Sequence, residues 1–202
     1  MLTLPFILAS ISVSAQKDKY HLGMESYEHT VTLPEEKITL HVVEDNQLRS
    51  YTDLNKTYYW YSNNQIKTTQ GGFSGKLLDG RFSRFYLNKN LKELGEFNAG
   101  LKTGTWKNWA DNGTLLKVVS YKKGTPNGKF FNYKESGALA EEGKYKEGKI
   151  NGLFKKYINP DSVQILKYKN GIIVNQQPSK ISKWLNGIFH KKIKTKPSNK
   201  PK

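Results

Sequence analysis

Gly80, Gly104, Gly128 and Gly152 stand at strict 24-residue intervals, and each is followed two positions later by an aromatic residue: Phe82, Trp106, Phe130 and Phe154. A fixed period of this length marks a tandem repeat, so the chain is built from copies of one small unit rather than around one thick core. Three further columns keep the same phase. A second aromatic column runs Phe85, Trp109, Tyr133, Tyr157; an aliphatic one runs Leu91, Leu115, Leu139, Val163; a third set of rings is Phe73, Phe97, Tyr121, Tyr145.

Residues 105 to 128 show what one unit folds into. A short strand, Thr105 to Ala110, meets Asp111-Asn112-Gly113, where Asn and Gly tolerate positive φ and favour a reversal. A second strand, Leu115 to Tyr121, puts Leu115, Lys117, Val119 and Tyr121 on one face. Lys122 to Gly128 is again turn chemistry. Each unit is therefore a β-hairpin, and two or three glycines per unit argue against helix, since each costs about 1 kcal/mol there relative to alanine. The expected fold is all-β: an elongated, single-layer antiparallel meander of tandem 24-residue hairpins. The repeat domain spans 57–174 in about five copies, the first of which, near 57–80, is degenerate. Residues 16–56 form an amino-terminal cap with one strand, Lys37 to Glu44.

Composition fits such a ribbon. Only 36% of the 202 residues are hydrophobic while 12% are aromatic, against roughly 45–50% apolar for an ordinary globular chain. With no cysteine, neither disulfides nor thiolate metal sites can hold the fold. The formal charge is +16, and eight of those charges come from lysines between 176 and 202, a stretch without an acid. A basic excess favours anionic partners such as lipid head groups, acidic polysaccharide or nucleic acid, or simply gives a soluble lysine-rich surface.

Both ends read differently from the middle. Residues 1–15 have the pattern of a secretory signal peptide, an apolar run from Leu2 to Ile11 followed by Val13 and Ala15 at an Ala-x-Ala-like site. Export to the periplasm, cell envelope or medium is the expectation. At the other end, residues 175–202 form a basic amphipathic helix and tail. Ile181, Trp184, Leu185, Ile188 and Phe189 share one helical face from about Ser179 to Ile193, bordered by Lys183, Lys191 and Lys192. Such a helix caps the open end of a repeat array or lies on an anionic membrane.

The columns resemble the MORN repeat (membrane occupation and recognition nexus), in the variant form of bacterial secreted and antitoxin-annotated proteins. The pattern is Phe97-x-x-Gly100-x-x-x-Gly104-x-Trp106-x-x-Trp109-x-x-x-Gly113-x-Leu115, and it recurs as Tyr145-x-x-Gly148-x-x-x-Gly152-x-Phe154-x-x-Tyr157. The resemblance implies a twisted sheet of hairpins serving as a binding or spacing module. For some relatives it implies the antitoxin role of a toxin–antitoxin pair.

No catalytic constellation stands out. The histidines 21, 29, 41 and 190 are scattered, no Gly-x-Ser-x-Gly elbow is present, and Glu35-Glu36 and Glu141-Glu142 are adjacent, so on a strand their carboxylates diverge. No metal or cofactor is expected. The reading is a non-enzymatic module for a protein or glycan partner, with a membrane surface as the alternative and nucleic acid not expected. The rings have two readings. Gly80, Gly104, Gly128, Gly152, Phe82, Trp106, Phe130 and Phe154 carry the repeat's structure, whereas Phe85, Trp109, Tyr133 and Tyr157 are the candidates for gripping a partner.

Overall fold

The computed structural model describes residues 26–43, 52–159 and 162–174. Residues 1–15, expected as a signal peptide, and the carboxy-terminal segment expected as an amphipathic helix, with Lys183, Trp184, Leu185, Ile188, Phe189, Lys191 and Lys192, lie outside the described residues. Fourteen strands appear among those described, and no helix. They are β1 (Tyr27–Thr32), β2 (Glu36–Val43), β3 (Thr57–Ser62), β4 (Gln65–Gln70), β5 (Lys76–Tyr86), β6 (Leu91–Asn98) and β7 (Leu101–Trp109). The second half continues with β8 (Leu115–Lys122), β9 (Thr125–Tyr133), β10 (Leu139–Lys146), β11 (Lys149–Ile150), β12 (Gly152–Asn159), β13 (Ser162–Lys169) and β14 (Ile172–Ile173). All belong to one open antiparallel sheet, whose main path is β1-β2-β5-β6-β7-β8-β9-β10-β12-β13-β14.

The strands are longer than the turn-rich sequence suggests. Residues 125–128, expected as connection, open β9, and the true reversal is the two-residue turn Lys123-Gly124. Both of its residues have positive φ, 49° and 77°. That is the type I′ geometry whose twist matches the flanking strands. Ala99-Gly100, Glu147-Gly148 and Asn170-Gly171 repeat it.

The period-setting glycines Gly80, Gly104 and Gly128 sit inside strands, at bulges, and Gly152 opens β12. Leu94 pairs with Lys107 and Glu96 with Thr103, so Gly95 alone faces the three residues Gly104 to Trp106. Ser120 likewise faces 127–129, and His41 faces 79–81. The extra residues bend the strand, which requires a left-handed conformation at Gly80 (φ 88°), Gly104 (65°), Gly128 (120°) and Gly152 (99°). The bend also stacks the turns. Gly124 N donates to Lys102 O at 2.8 Å, Gly148 N to Pro126 O at 2.8 Å and Gly171 N to Ile150 O at 2.9 Å, each tying one turn to the preceding unit.

Two expectations for the amino-terminal end are corrected. First, residues 57–80 are not the first copy of the in-line repeat. β2, from outside the period, pairs with β5 across the Gly80 bulge as β6 pairs with β7 across the Gly104 bulge. Second, the sheet is not a single layer there. The β3–β4 hairpin leaves the path, pairs with β5 at Trp60 and Tyr61 alone, is tied to the β6–β7 turn by Tyr59 N donating to Gly100 O at 2.8 Å, and lies across one face, with the Tyr59 ring 5.0 Å from Phe97. An open end with Val31, Ile38 and Leu78 exposed would be costly. The hairpin's Tyr59, Tyr61 and Ile66 cover the cluster that those residues form with Leu40, Val42, Phe82, Phe97 and Trp106.

Candidate functional site

Alternation along the strands gives the sheet two chemically distinct faces. The ring face carries Phe82, Trp106, Phe130 and Phe154, all buried. Their rings pack against the third aromatic set: Phe82 on Phe97 at 5.5 Å, Phe97 on Trp106 at 4.9 Å, Trp106 on Tyr121 at 6.3 Å, Phe130 on Tyr145 at 4.6 Å. Phe154 on Tyr168 at 5.7 Å ends the row. Tyr121 touches both the cluster under the hairpin and the one around Val119, Phe130 and Phe154, so the packing is continuous across the units. The indole Nε1 of Trp106 donates to the carbonyls of Glu96 (3.2 Å) and Thr103 (3.1 Å), which satisfies the only polar atom of that buried ring.

Between the β3–β4 hairpin and the ring face lies a cleft of about 340 Å³. Its wall holds a chain of ion pairs that no short sequence window reveals, because Glu36 comes from outside the repeat. Lys92 meets Glu36 at 2.8 Å, Arg84 meets Glu36 at 3.4 Å and Glu93 at 3.8 Å, and Lys102 meets Glu93 at 3.2 Å. The Arg84 Nε is buried without a hydrogen-bond partner. The Lys102 ammonium sits 3.7 Å over the Trp106 ring, with the Tyr59 and Tyr121 rings at 5.4 and 5.7 Å. Burial pushes its pKa below the usual lysine range, with Glu93 opposing the shift. Burial also raises the phenols of Tyr59 and Tyr121. Each carboxylate in this chain of pairs is held by two cations, an arrangement that ties β2, β5, β6 and β7 together and leaves neither Glu36 nor Glu93 as an unengaged base.

The opposite face carries the second aromatic column. Phe85, Trp109, Tyr133 and Tyr157 are each half-buried. Each is the register partner of the aliphatic column: Phe85 with Leu91, Trp109 with Leu115, Tyr133 with Leu139, Tyr157 with Val163. A ring lying beside an aliphatic side chain across the strand pair explains why both columns keep the period, and it leaves the rest of each ring at the surface. Among the described residues none of these four rings belongs to a buried cluster, whereas at the β2–β5 end of the same face Val43 and Leu77 are buried against Tyr58 and Trp60. Tyr157 is further committed, since its hydroxyl donates to Glu142 Oε1 at 2.9 Å, where Lys155 also arrives at 2.7 Å. The hydrogen bonds from Lys155 and Tyr157 hold the Glu142 carboxyl below the usual range.

The four structural rings and the four candidate rings thus fall on opposite faces, the first buried and the second half-exposed. Among the described residues no group of three or more His, Asp or Glu side chains could hold a metal ion. No protein-family model and no curated protein matches the chain.

Proposed function

We propose that the protein is a non-enzymatic, exported MORN-like repeat protein that binds a protein or glycan partner through the open face of its sheet. The observation that carries this reading is the row Phe85, Trp109, Tyr133 and Tyr157: evenly repeated rings, half-buried, on the face opposite the buried ring row and outside the buried clusters of the described residues. Rings so placed offer flat apolar area at low entropic cost to a sugar ring or to a partner's side chains. The internally paired carboxylates of the cleft support a scaffold rather than an acid–base centre.

Binding of the full chain to a glycan array and to candidate protein partners is compared with that of Trp109→Ala/Tyr133→Ala. The reading requires a ligand whose retention falls at least about tenfold in the variant while the melting temperature stays within a few degrees. Equal retention by both chains refutes it. The alternative, attachment to an anionic envelope membrane through residues 180–202, is motivated by the eight lysines there. It requires that a chain ending at Gln177 lose binding to anionic vesicles at low salt.

A further inference from the structure

Strand pairing brings together lysines that are far apart in the chain. Lys129 is the direct register partner of Lys144, and Lys146 of Lys149. Lys167 pairs with the exposed Leu153, and Lys169 follows two residues later on the same side of β13. By alternation all six side chains lie on the open face, the same side as Tyr133 and Tyr157. All six are exposed. None of the six makes an ion pair among the described residues, unlike Lys92, Lys102 and Lys155. The nearby Glu142 is already engaged by Lys155 and Tyr157, and Glu147 sits in the turn.

Like charges placed directly opposite on a sheet destabilise it. Two such pairs, in one region whose nearby acids are Glu142, shared among Lys155, Tyr157 and Lys129, and the turn residue Glu147, form a field of net positive charge that an anionic ligand would relieve. The turn-to-turn hydrogen bonds, Gly148 N to Pro126 O and Gly171 N to Ile150 O, fix the spacing of the strands that present it. Equivalent positions of adjacent units are two strands apart, roughly 10 Å.

Resting on the proposed open-face binding, we infer that the strands from β9 to β13 form a track for a linear acidic polysaccharide. Its carboxylates meet the lysine field, and its sugar faces reach Tyr133 and Tyr157. The shape of the sheet favours a chain-like ligand over a bilayer. Adjacent strands rotate by roughly 20–25°, so the face normal turns roughly 60–75° over the three steps from β9 to β13. A flexible polymer follows that ramp, whereas a planar surface meets only part of it.

The test uses the full chain with four probes: alginate, uncharged dextran, vesicles of phosphatidylglycerol in phosphatidylcholine, and duplex DNA. The variant is Lys129→Gln/Lys144→Gln/Lys167→Gln. Expected is retention on alginate and not on dextran, reduced about tenfold or more in the variant and by 0.5 M salt, with a melting temperature unchanged or raised because like-charge repulsion is removed. Carbodiimide coupling of alginate carboxylates to lysine amines, read by mass spectrometry, is expected at Lys129, Lys144, Lys146 and Lys149.

Coupling confined to residues 180–202, equal retention by the variant, or retention on vesicles or DNA without alginate each overturn the track. If alginate fails while Trp109→Ala/Tyr133→Ala still abolishes capture of another defined partner, the open-face reading survives and only the polysaccharide is wrong.

Discussion

The indole of Trp106 lies so close to the backbone of Gly95 that a β-carbon at position 95 would fall 2.2 Å from its Cδ2. Gly143 faces the ring of its own hairpin, Phe130, whose Cε1 would lie 2.8 Å from an added β-carbon, and the ring of the next unit, Phe154, at 3.4 Å. At the Gly104 bulge the ring of Trp106 is carried under the preceding strand, and the missing side chain of Gly95 makes room for it; the equivalent position before Phe130 is the buried Val119.

Gly95→Ala is therefore expected to destabilise the fold by about 1–3 kcal/mol, through overpacking. Gly113→Ala, where a β-carbon meets nothing within 4 Å but φ is 84°, is expected to lose about 1–2 kcal/mol through backbone strain alone. Urea unfolding measures both. Adding Trp106→Phe should recover part of the first loss and none of the second, and additivity in both cycles would contradict the packing account.

Truncating the two aromatic columns should separate them. Trp106→Ala removes a ring 2% exposed and is expected to cost about 3–5 kcal/mol. Trp109→Ala removes a half-buried ring beside Leu115 and is expected to cost about 1 kcal/mol or less. Comparable losses in denaturant melts would mean that the open-face column is as structural as the buried one.

Alkaline titration should expose the covered tyrosines. Burial raises the pKa values of Tyr59, Tyr121 and Tyr145. Their contribution to stability is whole below the unfolded tyrosine value of about 10 and is lost as pH rises through the higher folded values. Lys102 runs the other way. Its folded pKa is lowered, so between the folded and unfolded values the unfolded chain binds more protons and stability rises with pH. Lys102→Met should remove that gain and steepen the alkaline loss, as followed by tyrosinate absorbance and thermal melts; an unchanged slope would show that Lys102 is not desolvated.

At the acid end, Glu142 acts in the opposite sense. Its pKa is depressed by hydrogen bonds from Lys155 and Tyr157, so its contribution is present above the unfolded glutamate value of about 4.3 and disappears as pH falls through the folded one. The group is near the surface, so the effect is small and screened by salt. Glu142→Gln should flatten stability between neutral and acid pH and let Tyr157 ionise earlier. A variant with the wild-type acid profile would contradict this.

The type I′ turns offer a stabilising change. Lys123 and Glu147 hold positive φ of 49° and 51°, where Asn170 already occupies the equivalent place in the last unit. Lys123→Asn and Glu147→Asn should each raise stability by about 0.5 kcal/mol, since asparagine tolerates that conformation best among non-glycine residues. A fall in melting temperature would show that the side chains replaced there do more than tolerate the turn.

The hairpin repeat, its period and the separation of buried from half-exposed rings were legible in the chain because each depends on local rules: glycine where φ must be positive, and odd or even spacing along a strand. The strand ends were misread because Thr125 to Gly128 looks like a loop, yet the bulge keeps it paired. The amino-terminal end was misread for a different reason. Nothing in the 24-residue phase of β5 says that its neighbour is β2, or that the β3–β4 hairpin will fold over the ring face.

The sequence by itself determined the unit, since a 24-residue spacing of glycine and aromatic residues is a statement about one hairpin and its turns. Only the tertiary structure decided which side chains share a surface. Register pairs Lys129 with Lys144 and Trp109 with Leu115, and packing joins Glu36 to Arg84, Glu93 and Lys102. Those relations depend on bulges that shift pairing by two residues and on a strand from outside the repeat, and contacts of that kind leave no period to read.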